Sequence, residues 1–551
     1  MKLLYSLHCF VIALSLWICN FLGGNDDIRD FLLARNQIYS CTVDGKPAYV
    51  VAKDYDDGQE TNNNGQETNS NGQETNSNGS MYAASNAGRL YIDRGEAYAD
   101  PIPVVLQTLN GDVYISGAGI DFQPCGLMPL ELMPTATAGQ LSRDFCKPRY
   151  AVSVQHDVVY AHAEGYWSSY PDTFEDFGTI FKRKLVNGWL LFRRQMPLEM
   201  DIYEPEDGAP ADFRRPLMVM IHGGGFYNGD KADEEYRQWC MMFAECGYTA
   251  VSINYRLGFT PLKGNVGRAA YRAVQDTRAA VCFLLKHQAD YHIDPDRIFL
   301  AGCSAGAITA LNAAYMDTAT RPEGCSSATF GFDGDLGVID QVAIDEGINQ
   351  PFAVRAVGNM WGGVFDLDIL NRPDGARIYS IQSIYDPVVP ANTDYPFKVI
   401  YGNSILLQPF LEFLTPKING SLRIESLRRK GDKFLYFTEE RHTLIRYPSD
   451  DHSLNERHKM FFDCLTEFFR DNMLDEPAHL TTSSDDQRSF AVSSANNLRA
   501  LNWKAQGGVI TSRDEQGQAR ALFFSDAPRH SVIVDGMYSF GLEYKDTLDV
   551  K

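Results

Sequence analysis

Ser304 is the residue in this sequence whose neighbours best suit a nucleophile. It stands in Gly-Cys-Ser-Ala-Gly (302–306), after the apolar run 297–301 and before the alanine-rich run 307–316. The first run predicts a strand and the second a helix, so the serine falls on the tight turn between them. Such a turn strains the serine backbone and holds its hydroxyl clear of the sheet. The chemistry that this arrangement predicts is acyl transfer through a serine nucleophile.

Acyl transfer also needs hydrogen-bond donors for the oxyanion, and a second glycine-rich turn offers them. His-Gly-Gly-Gly-Phe (222–226) follows the apolar run 216–221. Glycines at the end of a strand let backbone N–H groups approach an anion without interference from side chains. Ala305 opens the helix predicted after Ser304, so its N–H group has no acceptor within that helix. A glycine run after a strand is more often only a turn, but its place upstream of Gly-x-Ser-x-Gly makes this one specific.

Both turns are surrounded by alternating strands and helices. Short apolar runs indicate strands, and apolar residues at helical spacing indicate helices. The predicted strands are 198–202, 217–221, 249–255, 354–361, 377–383 and 443–447, and the predicted helices are 234–246, 270–284 and 454–470. This alternation predicts an α/β protein with a mostly parallel central sheet and helices on both faces.

Four motifs together resemble a known family. They are His-Gly-Gly-Gly-Phe (222–226), Asn-Tyr-Arg-Leu-Gly (254–258), Asp-Pro-Asp-Arg-Ile (294–298) and Gly-Cys-Ser-Ala-Gly (302–306). In this order and context they resemble the α/β-hydrolase carboxylesterases and lipases, especially the hormone-sensitive-lipase-like and type-B carboxylesterase groups. The resemblance covers about residues 195–472 and implies an α/β-hydrolase fold.

The resemblance also implies roles for individual residues. The N–H groups of Gly224, Gly225 and Ala305 are expected to form the oxyanion hole. His222 is then expected to be a structural residue of its loop and not a catalytic base. Cys303 departs from the family pattern, because many relatives carry Asp or Glu at that position, and we interpret it as a tolerated difference.

The family's acid lies on a loop after a later strand. Ile-Tyr-Asp-Pro-Val-Val-Pro (384–390) follows the predicted strand 377–383 and resembles the Asp-x-x-Val-Pro loop that carries this acid. Prolines just after the aspartate would make the loop rigid, which suits a carboxylate that must hold an imidazole. Asp386 is therefore the predicted acid, and Glu346 and Asp368 are the weaker alternatives.

The general base is expected last in the chain order. Four histidines are available at this point of the sequence: His442, His452, His458 and His479. His452 alone among them lies in a loop between the last predicted strand and the closing helix. His442 begins that strand and His458 lies one turn inside the helix, so both are predicted to be surface or packing residues.

These residues predict a serine carboxylester hydrolase. Ser304 would form the acyl-enzyme, with His452 as general base and Asp386 as the acid that orients it. A peptidase or amidase on the same fold and a non-catalytic esterase-like binding protein are the two alternatives. The expected substrate is a small-molecule, carbohydrate or lipid ester, and the chemistry needs no cofactor or metal ion.

Charge and the N-terminal segment narrow the expected partners and location. The chain of 551 residues has a formal net charge of −21, so nucleic acid is not an expected partner. Residues 1–24 combine Lys2 with the uncharged, mostly apolar run 3–22 and predict an export signal, hence an extracellular or periplasmic protein. An uncleaved membrane anchor is the alternative, because about 20 apolar residues can span a bilayer.

The remaining composition predicts three further regions. Residues 25–150 are predicted to be β-rich, with a disordered seven-residue repeat at 56–80 that lacks apolar side chains and cannot offset its ordering entropy. Residues 151–475 are the predicted catalytic domain, within which the Gly- and Asp-rich stretch 317–350 is a candidate lid or cap. Residues 476–551 are predicted to be a linker and a small β-rich appendage.

Overall fold

A computed structural model gives the architecture of the chain. It describes residues 38–52, 83–109, 112–117, 120–124, 128–129, 144–171, 177–189, 193–210, 212–260, 265–322, 324–326, 334–396, 415–429, 437, 441–448, 452, 458–482, 487–493, 498–514 and 516–550. The predicted export signal or anchor and the repeat lie outside these residues. Among the helices that are described, none is both long and apolar enough to cross a membrane.

The chain divides into two compact units. The first, here called the β unit, is formed by Met1–Ala138, Ala478–Tyr538 and Glu543–Lys551. The second, the α/β unit, is formed by Gly139–Pro477 and Ser539–Leu542. Segments near both ends of the chain therefore belong to one unit.

A seven-stranded sheet forms the N-terminal part of the β unit, in the order β7-β6-β5-β3-β2-β1-β8. Its strands, together with the short β4, are β1 (Ile38–Val43), β2 (Lys46–Ala52), β3 (Ala83–Ile92), β4 (Tyr98–Ala99), β5 (Ile102–Leu109), β6 (Asp112–Gly117), β7 (Ile120–Pro124) and β8 (Met128–Pro129). Asp44 and Gly45 join β1 to β2 with φ angles of 50° and 75°. Two consecutive positive φ angles give the tight turn that matches the twist of a hairpin.

The α/β unit contains the elements that surround Ser304. Its strands are β9 (Val152–Gly165), β10 (Arg194–Pro205), β11 (Arg215–Ile221), β12 (Thr249–Ile253), β13 (Ile293–Cys303), β14 (Val354–Met360), β15 (Gly363–Val364), β16 (Arg377–Ser383), β17 (Thr393–Asp394), β18 (Ile418–Gly420) and β19 (His442–Tyr447). Its helices are α1 (Phe177–Val186), α2 (Glu234–Glu245), α3 (Asn265–Lys286), α4 (Ala305–Tyr315), α5 (Gln341–Asp345), α6 (Ser421–Glu425) and α7 (His458–Asp471). Short 3-10 turns occur at Leu367–Leu370 and Ser426–Arg429.

The central sheet of this unit has eight strands in the order β19-β16-β14-β13-β11-β12-β10-β9. The six strands β19, β16, β14, β13, β11 and β12 pair in parallel. The last two strands are antiparallel, because β10 pairs antiparallel with β12 and with the edge strand β9. Every residue of β11 and β12 is buried, as expected for strands covered on both faces. The predicted mostly parallel sheet is confirmed.

Helices cover both faces of this sheet. Leu300 belongs to the apolar core that includes Ala270 and Val274 of α3. The next side chain along β13, Phe299, must point to the opposite face, and its ring centroid lies 5.2 Å from that of Phe469 on α7. The ring centroid of Phe243 on α2 lies 6.0 Å from that of Phe469. The helix pair α3/α4 therefore packs on one face, and the pair α2/α7 packs on the other.

The stretch predicted as a lid or cap contacts helix α3 through its described residues. Gln275 on α3 donates its amide N–H groups to the carbonyl oxygens of Leu336 and Val338, at 2.7 and 2.8 Å. Arg268, also on α3, donates to the carbonyl oxygens of Gly324 and Gly334. Side chains of the helix thus satisfy backbone carbonyl groups of this segment.

C-terminal strands complete the β unit. They are β20 (Leu480–Thr482), β21 (Ser489–Val492), β22 (Leu498–Gln506), β23 (Gly508–Arg513), β24 (Gln518–Phe524), β25 (Ser531–Tyr538) and β26 (Glu543–Asp549). Four of them form the sheet β20-β21-β24-β23, to which β4 adds in parallel, and the others form β22-β25-β26. Tyr91 stacks on Phe524 at 3.9 Å and donates to Asp526 at 2.7 Å, so the N- and C-terminal segments of the unit are packed together.

A buried ion pair joins Arg256, which follows strand β12, to Asp276 on helix α3. Arg256 contacts Asp276 through its guanidinium at 2.7 Å and also through its backbone N–H at 2.7 Å. The two side chains are 8% and 0% exposed. Removing one member of such a pair leaves a buried charge without compensation.

We therefore predict that Asp276→Ala lowers the free energy of unfolding by about 3–5 kcal/mol, measured by urea denaturation. Asp463→Ala is the control, because Asp463 is largely exposed and pairs with Lys459 at 3.6 Å. Loss of that surface pair is expected to change the free energy by less than about 1 kcal/mol. Equal effects of the two substitutions would contradict the structural role assigned to Asp276.

Candidate active site

Ser304 occupies a strained turn between β13 and α4. Its backbone has φ 55° and ψ −118°, a conformation that non-glycine residues rarely adopt. A Cβ on Gly306 would lie 2.0 Å from the carbonyl oxygen of Ile221, and one on Gly302 would lie 2.7 Å from the same oxygen. Both flanking positions therefore exclude a side chain, which explains the glycines of the motif.

Ser304, His452 and Asp386 form one line of hydrogen bonds. Nε2 of His452 lies 2.9 Å from Oγ of Ser304, and Nδ1 lies 2.7 Å from Oδ2 of Asp386. A carboxylate only accepts, so Nδ1–H is the donor to Asp386, and Nε2 of the neutral ring accepts from the serine hydroxyl. The structure thus brings together the three residues that the sequence singled out from separate loops.

The carboxylate of Asp386 is held from several directions. Its Oδ1 accepts the backbone N–H groups of Val388 and Val389 at 2.8 and 2.9 Å. Its Oδ2 accepts from the side-chain amide of Gln382 at 3.3 Å, in addition to the bond from His452. The side chain is completely buried. A buried carboxylate with this many donors stays in one orientation.

Trp361 supports the imidazole of His452. The two ring centroids are 6.0 Å apart, and the indole is also 6.0 Å from Phe461 on α7. The tryptophan has φ 57°, and its Nε1–H donates to Oγ of Ser383 at 3.2 Å. The same segment also contacts Ser304, because the carbonyl of Met360 accepts the N–H of Ser304 at 2.8 Å.

The glycine-rich loop after β11 passes next to Ser304. A Cβ on Gly223 would lie 3.5 Å from the Cβ of the serine. Gly224 and Gly225 have φ angles of 97° and 60°, which favour glycine. Within the described chain, no hydrogen bond is formed by the N–H groups of Gly224, Gly225 or Ala305. The N–H of Gly223 is instead donated to the hydroxyl of Tyr236 at 2.7 Å.

His222 is buried beneath this loop and not exposed to the site. Its ring stacks on Tyr255 at 4.3 Å, and its Nδ1 lies 2.8 Å from the carbonyl oxygen of Gly223. The Tyr255 hydroxyl donates to the carbonyl oxygen of His222 at 2.8 Å. Burial lowers the pKa of His222 from 6.5 to about 4, so the ring is neutral at pH 7.

Cys303, the residue where the family often has an acid, lies beside an acid from another element. Its Sγ donates to Oε1 of Glu235 on α2 at 3.5 Å, and it also contacts Met360. Burial raises the pKa of the Glu235 carboxyl and of the Cys303 thiol. An acidic group is therefore present near the turn even though the chain has cysteine at that position.

The rival acids and bases from the sequence lie in other contacts. Glu346 accepts the backbone N–H of His162 at 2.7 Å, and Asp368 lies in the 3-10 turn after β15. His442 is buried between Glu425 and Ser380. His458 is the first residue of α7, and His479 belongs to the β unit.

Sequence reasoning missed three residues that support the site. Tyr236 and Tyr255 bond to backbone groups of the glycine-rich loop, and Gln382 bonds to Asp386. A signal existed only for Gln382, because a large polar side chain in a central strand calls for a buried partner. The tyrosines carry no such signal, since tyrosine is common in apolar cores.

The described residues contain no group of three or more His, Cys, Asp or Glu side chains that could hold a metal ion. The arrangement at Ser304 uses a nucleophile, a base and a carboxylate, which together can carry out acyl transfer.

Comparison with known proteins extends these observations. Residues 200–380 match the BD-FAE family. Esterase LipQ of Mycobacterium tuberculosis is 32% identical over 126 residues, covering 22% of this chain and 28% of that protein. Gut esterase 1 of Caenorhabditis elegans is 28% identical over 153 residues, covering 25% of each protein. The chain thus spans about a quarter of the length of these curated relatives.

Solved structures similar to this chain include the apo form of Thermogutta terrifontis esterase 2, with 16% identity and a TM-score of 0.33. That likeness covers 50% of this chain and 90% of the solved one. The propionate-bound form has 17% identity and a TM-score of 0.32, and covers 51% and 92%. With the family match over residues 200–380 and the strand order of the sheet, the predicted resemblance to α/β-hydrolase esterases is confirmed.

The buried, neutral state of His222 predicts a pH dependence of stability. The pKa of histidine is about 6.5 in an unfolded chain and about 4 at this site, so the unfolded chain binds the proton first. The stabilising contribution is complete above about pH 6.5 and is lost as the pH falls towards 4. His222 should thus lower the free energy of unfolding of the wild type by about 2 kcal/mol between pH 7 and pH 4.5. His222→Gln should lack this part of the decrease, as measured by urea denaturation at both pH values. An unchanged pH dependence in this variant would show that His222 is not held neutral.

Proposed function

We propose that this protein is a serine carboxylester hydrolase that acts through an acyl-enzyme on Ser304. The observation that carries the proposal is the unbroken line of hydrogen bonds from Ser304 through His452 to Asp386. The family match over residues 200–380 and the curated relatives that are named esterases support the reaction class. Because those relatives are matched over only about a quarter of their length, the activity of the whole protein remains our inference.

The proposed mechanism is a double displacement. His452 takes the proton of Ser304 through Nε2 while Oγ attacks the ester carbonyl. The ring, now positively charged, is stabilised by Asp386 and donates its proton to the leaving alcohol. Water then repeats the sequence with the acyl-enzyme, and His452 again acts first as base and then as acid.

Backbone donors are proposed to stabilise the oxyanion. The N–H groups of Gly224, Gly225 and Ala305 are the candidates, because no acceptor within the described chain takes them. Gly223 is excluded from this role by its bond to Tyr236. Each donor of this kind typically contributes roughly 3 kcal/mol to the stability of the transition state.

The substrate is proposed to be a small-molecule, carbohydrate or lipid ester. The acidic chain does not favour nucleic acid as a partner, since its net charge is −21. We also propose that the protein is exported, on the basis of the apolar segment that follows Lys2.

Two alternatives use the same residues differently. A peptidase or amidase would require a leaving amine, and a panel of aminoacyl amides against short acyl esters distinguishes the two reactions. A non-catalytic binding protein would generally have lost the nucleophile or the base, whereas both are present at hydrogen-bond distance in this chain. No observation on the site favours either alternative over the ester hydrolase.

Ser304→Ala is expected to lower kcat for p-nitrophenyl acetate by about 10⁵-fold or more, because the acyl-enzyme cannot form. Ser153→Ala is the matched control, since Ser153 is an exposed serine on β9 whose hydroxyl donates to the backbone carbonyl of Glu204. Circular dichroism and steady-state kinetics on both variants provide the measurement. Turnover by Ser304→Ala at the wild-type rate would refute the proposal.

Asp386→Asn should keep the fold but lower kcat by roughly 10⁴-fold, because an amide can favour the wrong tautomer of His452. Asp368→Asn is the control, as Asp368 was the rival acid and lies in an exposed turn. The control variant is expected to retain wild-type kcat and KM. If Asp368→Asn were the inactive variant, the assignment of the acid would be wrong.

A further inference from the structure

A buried row of polar side chains leads away from Asp386. Each member lies within hydrogen-bond distance of the next, and all but the last are fully buried. In order, the row consists of Gln382, Ser421, Asn359, Ser380, His442 and Glu425. None of these residues takes part in the proposed reaction.

The near end of the row fixes an amide. The side-chain N–H of Gln382 reaches Oδ2 of Asp386 at 3.3 Å, and its Oε1 accepts the hydroxyl of Ser421 at 3.1 Å. An amide can turn over and exchange its oxygen for its nitrogen. The hydroxyl that donates to Oε1 opposes this exchange. The carbonyl oxygens of Ser383 and Val389 oppose it as well, because they lie 3.2 and 3.4 Å from the NH₂ nitrogen and can only accept. The NH₂ group is therefore directed at Asp386.

Asn359 is the branching point of the row. Its NH₂ group donates to Oγ of Ser421 at 3.1 Å and to Oγ of Ser380 at 2.7 Å. Its Oδ1 accepts the N–H of Gly362 at 2.9 Å. Because Ser421 receives a hydrogen from Asn359, its own hydroxyl hydrogen is directed to Gln382.

The far end of the row is a histidine–carboxylate pair. His442 lies 2.8 Å from Oε2 of Glu425 through Nδ1 and 2.8 Å from Oγ of Ser380 through Nε2. With Nδ1–H donated to the carboxylate, Nε2 of the neutral ring accepts the hydroxyl of Ser380. The serine oxygen can then accept from Asn359, so each hydrogen in the row has one acceptor, and the donors point from Asn359 towards Asp386 on one side and towards Glu425 on the other.

Such a row is costly unless it is complete. Ser380 and Gln382 lie on β16, a strand whose neighbours on both sides are parallel strands of the sheet. An apolar side chain at either position would avoid the cost of burying polar groups. Completed networks of this kind instead give one defined arrangement, and this one ends on the carboxylate of the proposed triad.

We infer that Gln382 is a positioning residue for Asp386, and that the row from Ser421 to the His442–Glu425 pair holds its amide in the donating orientation. The inference rests on the proposed function, because Asp386 needs a fixed position only if His452 acts as the base. The amide N–H draws negative charge from the carboxylate oxygen that faces the imidazole. Gln382 therefore affects both the orientation of His452 and its affinity for a proton.

Gln382→Met tests this inference, because methionine has a similar volume but cannot donate to Asp386. We expect kcat for p-nitrophenyl acetate to fall about tenfold, with KM within about twofold of the wild type. Without the amide, the carboxylate binds the imidazolium more strongly, so the acid limb of the kcat/KM profile should move up by about 0.5 pH unit. A purely structural role would lower activity without moving this limb.

Ser421→Ala provides a second variant at a distance from the carboxylate. Loss of the hydroxyl removes the donor to Oε1 of Gln382, whereas the contacts of its NH₂ group with the carbonyl oxygens of Ser383 and Val389 remain. A smaller shift of the acid limb in the same direction is therefore expected. Ser252→Ala is the matched control, because Ser252 is also fully buried and donates to the carbonyl of Lys231 at 2.8 Å, outside the row. Its pH profile should equal that of the wild type.

The outcomes separate the inference from the proposed function. A wild-type protein without esterase activity refutes the proposed function itself. An active wild type, together with an unshifted acid limb in Gln382→Met, overturns the positioning role. If circular dichroism shows that Gln382→Met does not fold, Ser421→Ala is the test of the inference. An acid limb of Ser421→Ala at the same pH as that of Ser252→Ala would then overturn the inference.

Discussion

Parallel pairing of four strands is the constraint on which the candidate site depends. Cys303 on β13, Met360 on β14, Ile381 on β16 and Ile445 on β19 form one row across the sheet. Because parallel strands end at the same edge, the loops that follow this row must meet. These loops include the ones that carry the proposed nucleophile, acid and base. A shift of one residue in any of these registers would turn the strand's side chains to the wrong face and move its loop.

Local strain at this edge is held in place by the packed sheet below it. Three non-glycine residues have positive φ angles here, Phe226 (63°), Ser304 (55°) and Trp361 (57°). Each such conformation costs about 1–3 kcal/mol and persists only where the surroundings determine it. Phe226 and Trp361 are buried among apolar side chains, and the Ser304 turn is closed by glycines that admit no side chain. Strain in the loops is thus offset by packing of the strands.

Local patterns in the sequence predicted the parts of this architecture that local chemistry determines. Continuous apolar runs predicted β11 and β12, and helical spacing predicted α2 and α3, because both faces of this sheet are covered. The motif glycines predicted the turn at Ser304 for the steric reason seen in the structure. The sequence could not predict that N- and C-terminal strands belong to one β unit, since pairing between distant segments leaves no local periodicity. Short, polar strands such as β20 were missed because exposed residues, here Thr481 and Thr482, give no apolar pattern.

The proposed reaction requires that Ser304 is a reactive nucleophile in the folded protein. Reaction of the full chain with a fluorophosphonate probe, followed by peptide mapping with mass spectrometry, measures this directly. We expect one covalent adduct per chain, on the peptide that contains Ser304, and its loss after denaturation of the protein before labelling. An absent adduct, or an adduct on another serine, would contradict the account.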